Sequence, residues 1–356
     1  MLVVYHHARD RLPGFSEALP SPFGEAGVDL FFVISGFIMV ITTSAPPVRP
    51  RTFMLRRIAR IVPSYWFYTT LLAGFVVLGP AVLNIQVTLP HYIDSLLFIP
   101  QSDPVGSLLM PLLQPGWTLN FEMFFYAIFA MTLFASAAAH RVSILVLTLT
   151  ALVAAGWILE PSGPLLDTYT SPLLLEFAFG AIIGQLYATG GLERFARPVG
   201  WQMIFAGVAI CALGATYIVP QPMLDFQTEP LRVATYGLGG ALVVVGALSL
   251  ESRGTHAKPR PLLRWLQLLG DASYALYLTH LFPIAVVRIV WVKSGMGTEG
   301  LSWTIAFLAV ALPTAAAVGI LTYWLLERPL TRAAQRMLLG AGGARTPPRS
   351  LPGQVG

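Results

Sequence analysis

The sequence predicts an all-α fold, a polytopic integral membrane helical bundle of about ten transmembrane helices whose first helix is truncated. Apolar residues make up 55% of the chain and charged residues only 11%, and the mean hydropathy is +0.69. Soluble domains carry about 25% charged residues. Nine apolar stretches approach the roughly 20 residues with which a helix spans a bilayer, and a tenth, at the start of the chain, is truncated. Little remains for a soluble domain, so we predict a single membrane domain.

The predicted spans follow one another through short connections rich in proline and glycine. They cover residues 1–8, 27–44, 61–79, 120–137, 143–159, 172–188, 201–219, 231–250, 272–291 and 302–325. We predict a transmembrane domain over 1–337 and a disordered cytoplasmic tail over 338–356. The connection 80–119 contains no Lys or Arg, and we expect part of it to re-enter the membrane.

The charge distribution indicates the orientation of the chain in the membrane. Most of the 22 Lys and Arg residues fall in alternate connections, whereas the acidic residues fall mostly in the others. The positive-inside rule therefore predicts a multi-pass protein with cytoplasmic termini. The net charge of +5 reflects this topology, so we expect membrane lipids as partners and no nucleic acid. With Cys211 as the single cysteine and scattered loop histidines, we expect no metal site.

Ionisable residues at membrane depth are candidates for a functional site because hydrocarbon penalises charge. His6, at the outer end of the first span, is a candidate general base, or half of an interfacial pair with His7. Asp29 begins the second span, where a carboxylate is stabilised by the helix dipole or simply caps the helix. Glu122 lies among aromatic residues in the fourth span and requires a partner, either a histidine or a residue of the outer loop.

A basic cluster, Arg56, Arg57 and Arg60, precedes the third span. Arg57, Arg60 and Ser64 have the spacing of one helix face. Guanidinium groups at a membrane mouth suit an anionic ligand with phosphate oxygens. The alternative is that these arginines anchor the helix to lipid headgroups.

The ninth predicted span carries one polar face, formed by Ser273, Tyr277 and His280. If the span enters from the cytoplasm near Asp271, His280 lies about 14 Å along it, close to the middle of the membrane. Glu327 closes the tenth span, and we interpret it as a structural residue at the helix end.

Several stretches occur together in the order and spacing of one known family. They are "VVYHH", "GVDLFFVISGFIM", "RRIARIVPSYW", "GWTLNFEMFFY", "PLLLEFAFG", "LGDASYALYLTH" and "LERP". The chain resembles the acyltransferase 3 family, membrane acetyltransferases of exopolysaccharide, O-antigen and Nod-factor modification. The family pattern places a basic residue well before the first histidine, whereas Met1 lies less than two helical turns before His6. We therefore expect the natural start to lie upstream.

The resemblance implies transfer of an acetyl group from cytoplasmic acetyl-CoA to a sugar hydroxyl presented from the outer side of a bacterial inner membrane. It implies that His6 is catalytic, with His7 as the second choice, and that the arginines contact the nucleotide phosphates. The acceptor is then a polysaccharide or a lipid-linked sugar.

The resulting hypothesis is that His6 accepts the hydroxyl proton, or carries the acyl group, while Asp29 or Glu122 orients its ring. Tyr277 and His280 would line the passage of the thioester. Two alternatives stay open at this point. One is a transporter or flippase for a lipid-linked sugar, and the other is a non-catalytic scaffold of polysaccharide synthesis.

Overall fold

The computed structural model describes residues 1–18, 23–44, 48–78, 86–104, 109–160, 162–217, 229–251 and 261–343. Within these ranges the chain is overwhelmingly helical, and the only β-pairing is an isolated bridge between Ser102 and Leu109. Large apolar side chains such as Leu78 and Phe134 are exposed on the outside of the bundle, as lipid contact requires. The predicted all-α membrane bundle is confirmed.

The helices are numbered in chain order, and short 3₁₀ or π turns extend some of them. They are α1 (Leu2–Arg9), α2 (Pro13–Ala18), α3 (Ala26–Ser44), α4 (Pro50–Leu78), α5 (Leu89–Leu96), α6 (Gly116–Thr132), α7 (Ala138–Leu159), α8 (Pro164–Tyr169), α9 (Leu174–Ala188), α10 (Arg197–Tyr217), α11 (Glu229–Glu251), α12 (Pro261–Asp271), α13 (Ser273–Thr279), α14 (Leu281–Lys293), α15 (Leu301–Thr322) and α16 (Arg328–Gly343). A 3₁₀ turn at Phe23–Glu25 leads into α3, and a π turn at Val233–Gly237 interrupts α11.

Among the described residues, seven helices are long and apolar enough to cross a bilayer. Their ranges are Phe23–Ser44, Pro50–Leu78, Ala138–Leu159, Pro164–Ala188, Arg197–Thr216, Glu229–Glu251 and Leu301–Gly340. The pair α13 and α14, bent by 49°, adds an eighth crossing when it is counted as one broken span. The two other predicted spans coincide with α6, which has 17 residues, and α1, which has 8. Every predicted span therefore contains a helix.

The break between α13 and α14 falls at His280, three residues before Pro283. Proline has no backbone N–H, and its ring displaces the carbonyl group four residues earlier, here that of Thr279. Such a residue is a regular cause of sharp bends in helices. The bend leaves the His280 side chain fully buried inside the bundle.

Helices α3 and α9 lie backbone against backbone. A Cβ atom at Gly36 would collide with the carbonyl oxygen of Phe177, and one at Gly180 would collide with that of Val33. Small residues allow this approach, which dominates helix packing in membranes because lipid removes the hydrophobic drive between helices. The approach fixes the position of α3 against the centre of the bundle.

Helix α6 is enclosed by its neighbours, and the connection before it packs inside the bundle. Leu113 is 1% exposed, and the backbone N–H of Leu112 donates to Ser95 Oγ at 2.9 Å. A Cβ atom at Gly116 would lie 2.5 Å from the Tyr65 hydroxyl oxygen, so α6 begins beside the middle of α4. This is the placement that re-entry of the connection 80–119 requires, although 79–85 and 105–108 lie outside the described residues.

Helix α16 continues beyond the predicted end of the membrane domain. It runs to Gly343 and contains a break at Gly340, whose φ is 72°. The predicted boundary between 337 and 338 therefore falls inside a helix. Residues 344–356 of the predicted tail lie outside the described residues.

Candidate functional site

The imidazole of His6 lies at the last turn of α1 beside two carboxylates. Its Nε2 atom is 3.3 Å from Asp10 Oδ2 and 3.9 Å from Glu25 Oε1. Its Nδ1 atom is buried and has no hydrogen-bond partner in the described part of the chain. A neutral imidazole that donates its Nε2–H to a carboxylate keeps a lone pair on Nδ1. The ring is therefore oriented as a base whose free nitrogen is Nδ1.

Glycine makes this arrangement possible because α1 lies directly against the start of α3. A Cβ atom at Gly24 would lie 2.7 Å from His6 Cβ, and one at Gly27 would lie 2.9 Å from Leu2 Cβ. The 3₁₀ turn that contains Gly24 also carries Glu25. The close approach of the two backbones thus brings the Glu25 carboxylate to the His6 ring.

Asp29 is fully buried and forms an ion pair with Arg232 of α11. Arg232 Nε donates to Asp29 Oδ1 at 2.8 Å, and Nη2 donates to Oδ2 at 2.9 Å. The remaining Nη1 donates to Glu25 Oε2 at 3.2 Å. Among the described residues, Asp29 is thus linked to His6 through Arg232 and Glu25. The carboxylates next to the His6 ring are those of Asp10 and Glu25, whereas the sequence hypothesis named Asp29 or Glu122.

Two further buried carboxylates lie in this region of the bundle. Glu176 of α9 is fully buried, and a Cβ atom at Gly237 would lie 2.8 Å from its Oε1 atom. Glu229, at the start of α11, accepts a hydrogen bond from Ser171 Oγ at 2.6 Å. The π turn that ends at Gly237 leaves room for the Glu176 carboxylate. Arg232 and Arg9, whose Nη2 lies 2.6 Å from Asp10 Oδ1, are the basic residues paired with carboxylates in this part of the described chain.

A second pair of imidazoles lies deeper in the bundle. The ring of His7 is 5.2 Å from that of His6 and 5.1 Å from that of His280, measured between centroids. His280 Nδ1 is 2.7 Å from the carbonyl oxygen of Tyr277 and 3.3 Å from that of Leu276. Carbonyl oxygens only accept, so Nδ1 carries the proton. The three rings form a row from the end of α1 to the break in the ninth span.

Tyr277 continues this row towards α6. Its hydroxyl group is 2.6 Å from Thr118 Oγ1 and 3.1 Å from the carbonyl oxygen of Pro115. The ring of Phe31 stacks on the Tyr277 ring at a centroid distance of 6.3 Å. The predicted pair Tyr277 and His280 is therefore joined to the helix that carries Glu122.

Glu122 lies one helical turn beyond Thr118, on the side of the arginine cluster. Its Oε1 atom accepts hydrogen bonds from Ser35 Oγ, at 3.2 Å, and from the Tyr126 hydroxyl group. No contact joins it to His6 among the described residues. The partners of this buried carboxylate are thus two hydroxyl groups, and neither the histidine nor the outer-loop residue considered from sequence holds it.

Arg57 packs its guanidinium group against two aromatic rings. The Cζ atom is 5.4 Å from the centroid of Phe53 and 5.7 Å from that of Tyr126. Arg60, one turn further along the same helix face, is exposed, whereas Arg56 is half-buried. A fixed guanidinium beside an exposed one suits the binding of an anion with several oxygens.

The site thus contains two polar clusters and a row of residues between them. The cluster of His6, Asp10, Glu25, Asp29 and Arg232 lies at the predicted outer side. The other cluster, around Arg57 and Glu122, lies towards the predicted cytoplasmic side. His7, His280, Tyr277 and Thr118 connect them. Among the described residues, no group of His, Cys, Asp and Glu has the geometry of a metal site.

Sequence reasoning missed Asp10, Glu25 and Arg232. The signal for Arg232 was present, because a basic residue at the edge of a span on the acidic outer side needs a buried counter-charge. Asp10 follows His6 by four residues and therefore shares its helix face. No sequence pattern indicated Glu25, because it reaches His6 only through the contact between α1 and the 3₁₀ turn in the folded protein.

Comparison with known proteins identifies the class of molecule that carries this arrangement. The family model described as an acyltransferase domain matches residues 1–323. A protein of Rhizobium meliloti (strain 1021), the exopolysaccharide production protein ExoZ, is 38% identical over 326 residues, which cover 90% of this chain and 94% of that protein. No solved structure matches the chain significantly.

Proposed function

Since the chain belongs to the acyltransferase family whose domain it carries over residues 1–323, we propose that this acyltransferase moves an acetyl group from cytoplasmic acetyl-CoA to a carbohydrate hydroxyl. The acceptor is an extracytoplasmic cell-surface polysaccharide or its lipid-linked precursor. The name of the Rhizobium relative, an exopolysaccharide production protein, supports a carbohydrate acceptor.

The observation that carries the proposal is the environment of the His6 ring. Nε2 faces the carboxylates of Asp10 and Glu25, and Nδ1 has no partner within the described ranges. A base held by a carboxylate is the arrangement that activates hydroxyl groups in acyl transfer. His6 is therefore the residue that we assign to the acceptor hydroxyl.

The chemistry follows from this geometry. His6 Nδ1 accepts the proton of the sugar hydroxyl while the hydroxyl oxygen forms a bond to the acyl carbonyl carbon. The bond from that carbon to sulfur breaks, and the thiolate leaves. Asp10 and Glu25 face the positive charge on His6, and Arg9 and Arg232 hold these two carboxylates in place.

The proposed binding site for the acyl donor is the arginine cluster. Arg57 is held by Phe53 and Tyr126, and Arg60 is exposed beside it. We assign the phosphates of acetyl-CoA to this end, with Arg56 adjacent. Tyr277 and His280 lie between this end and His6, so we assign them to the passage of the thioester.

The orientation belongs to the proposal as well. The distribution of Lys and Arg supports a bacterial inner membrane protein with cytoplasmic termini, surrounded by lipid. In this orientation the arginine cluster faces the cytoplasm, where acetyl-CoA is made, and His6 faces the compartment that contains the polysaccharide.

The proposal is tested with the purified full chain in lipid nanodiscs. The protein is incubated with acetyl-CoA labelled in the acetyl group and with exopolysaccharide, and both CoA release and label transfer are measured. The variant His6→Gln keeps an N–H group near Asp10 but removes the base. We expect transfer to fall at least 100-fold, the lower range for general base catalysis.

The control is His140→Gln, because His140 is exposed and lies outside the site. It should transfer label at the wild-type rate. Full transfer by a folded His6→Gln variant would refute the role of His6. Movement of a lipid-linked sugar across the membrane without consumption of acetyl-CoA would favour the transporter alternative.

A further inference from the structure

One ring nitrogen of His280 makes a hydrogen bond, and the other has no hydrogen-bond partner among the described residues. Nδ1 donates to the carbonyl oxygen of Tyr277 at 2.7 Å, which fixes the proton on that atom. Nε2 therefore carries the lone pair. It is buried and has no hydrogen-bond partner in the part of the chain that the structure describes. A polar atom left unpaired in an apolar interior is costly unless it has a further use.

The position of this nitrogen also points to a use. His280 occupies the break of the ninth span, with the ring of His7 on one side at 5.1 Å and the ring of Tyr277 on the other at 6.1 Å. Tyr277 leads to α6 and the arginine cluster, and His7 leads to His6. His280 is therefore the imidazole that a thioester arriving from the arginine cluster meets first.

We propose that His280 Nε2 is a nucleophile that carries the acyl group between CoA and the acceptor hydroxyl. This inference rests on the proposed function and adds a covalent step to it. The reaction then has two stages, each with its own histidine, and the donor leaves before the acceptor reacts.

In the first stage, the Nε2 lone pair attacks the carbonyl carbon of the thioester. The carbon–sulfur bond breaks, and its electron pair leaves on sulfur as the CoA thiolate. The acyl group is held as an N-acylimidazolium, whose Nδ1–H still donates to the Tyr277 carbonyl oxygen. That hydrogen bond stabilises the positive charge of the carrier.

In the second stage, the acceptor hydroxyl loses its proton to His6 Nδ1, and its oxygen attacks the same carbonyl carbon. The carbon–nitrogen bond breaks, and the electron pair returns to His280 Nε2. His6 later releases its proton to water, and the thiolate takes one from water. The protons balance, and no further reactant is needed.

The distances allow the second stage. The two centroid separations, 5.2 and 5.1 Å, limit the distance between the His6 and His280 rings to about 10 Å. A hydroxyl oxygen about 3 Å from His6 Nδ1 and about 3 Å from the acyl carbon is compatible with this upper limit, on a path beside the His7 ring. Nε2 is closed to water in this conformation, which protects an acylimidazolium from hydrolysis once it has formed.

The free nitrogens distinguish the two residues. His6 has its Nε2 directed at carboxylates, which favour its protonated form and therefore a role as base. The His280 ring makes its hydrogen bonds to neutral carbonyl groups. The neutral environment leaves its second nitrogen available as a nucleophile rather than as a base.

The test is isotope exchange between labelled CoA and unlabelled acetyl-CoA in the absence of acceptor. Exchange requires a reversible acyl-enzyme, and direct transfer to the hydroxyl gives none. We expect wild-type protein in nanodiscs to exchange label. The variant His280→Asn keeps an N–H near the Tyr277 carbonyl and lacks Nε2, so it should lose exchange at least 100-fold. His6→Gln should keep exchange and lose only transfer.

Two results would overturn the inference. The first is wild-type transfer to polysaccharide without any exchange, which means direct transfer. The second is exchange that survives in His280→Asn and disappears in His6→Gln, which makes His6 the carrier. Size-exclusion profiles verify the folding of each variant. If His280→Asn does not fold, His6→Gln decides, because exchange retained there supports His280 as the carrier and exchange lost there makes His6 the carrier. If the wild type exchanged label with CoA but did not transfer it to the polysaccharide, the result would refute the polysaccharide as acceptor and support a covalent acyl carrier.

Discussion

Arg232 donates two parallel hydrogen bonds to Asp29, from Nε to Oδ1 at 2.8 Å and from Nη2 to Oδ2 at 2.9 Å. The same guanidinium group donates to Glu25 at 3.2 Å. The ion pairs of Arg232 therefore connect α3 and α11 at the position where Glu25 approaches His6. The ion pair thus joins two helices of the bundle and, through Glu25, holds the surroundings of the His6 ring.

Replacement of Arg232 with methionine leaves the fully buried Asp29 without its counter-charge. Removal of one partner from a buried ion pair costs about 3–5 kcal/mol. We expect a clearly lower midpoint of thermal unfolding in detergent solution. The double variant Asp29→Asn/Arg232→Met should recover part of the loss, and Arg49→Met, on an exposed arginine, should change nothing. An unchanged midpoint for Arg232→Met would show that the pair does not support the fold.

We predict that Asp10 and Glu25 are positioning residues that act through His6. The variants Asp10→Asn and Glu25→Gln keep the shape of the side chains but remove the charge beside Nε2. We expect kcat to fall about 10-fold in each, equivalent to about 1.4 kcal/mol of transition-state stabilisation, with KM for acetyl-CoA unchanged. Steady-state kinetics measure both constants.

A purely structural role would be indicated if both kinetic constants changed together or if Asp10→Glu failed to restore kcat. His6→Gln combined with Asp10→Asn should be no slower than His6→Gln alone, because the carboxylate acts only through the imidazole.

The arginine cluster is expected to control the affinity for the donor. Arg60→Ala should raise KM for acetyl-CoA about 10-fold through loss of a charged hydrogen bond of roughly 1.5 kcal/mol. Arg57→Lys keeps the charge but loses the planar group that packs on Phe53 and Tyr126. It should therefore raise KM for acetyl-CoA by a similar factor. Arg51→Ala, an exposed residue of the same helix, is the matched control. The measurement is KM for acetyl-CoA at a saturating concentration of polysaccharide. If Arg51→Ala raised KM as much as Arg60→Ala, the effect would belong to the general basic charge of the helix.

The contact between α3 and α9 has no room for a methyl group. Gly36→Ala places a Cβ atom into the carbonyl group of Phe177, so the helices must separate, at a cost of about 1–3 kcal/mol. The Cβ atom added by Gly74→Ala on α4 has no neighbouring atom within 4 Å. This variant should leave the midpoint of thermal unfolding unchanged or slightly raised. Equal midpoints for the two variants would contradict the close approach. Yields of monodisperse protein provide a second measure.

The sequence was sufficient for the architecture because hydrophobic length and charge distribution act locally. Each predicted span contains a helix, and two of the three residues of the predicted polar face, Tyr277 and His280, lie together, whereas Ser273 is exposed. The resemblance to the family also agreed with the matched acyltransferase domain. These features depend on spacing along one helix or on motifs that survive in the chain.

The partners of each charge were not predictable in the same way. Asp29 was expected at His6, and Glu122 was expected at a histidine or an outer-loop residue. Asp29 is paired with Arg232, and Glu122 accepts from Ser35 and Tyr126. These pairs join residues far apart in the chain, and their identity depends on which helices become neighbours. Helix periodicity alone carries no information about that choice.

The row of polar side chains has a consequence for the membrane itself. A protein that opens a route for a thioester through hydrocarbon also risks a leak of protons and ions driven by the membrane potential. In this conformation His6 Nδ1 and His280 Nε2 are both closed to water, and the Phe31 ring stacks on the Tyr277 ring next to His280. We expect this closed arrangement to prevent such a leak while no donor is bound.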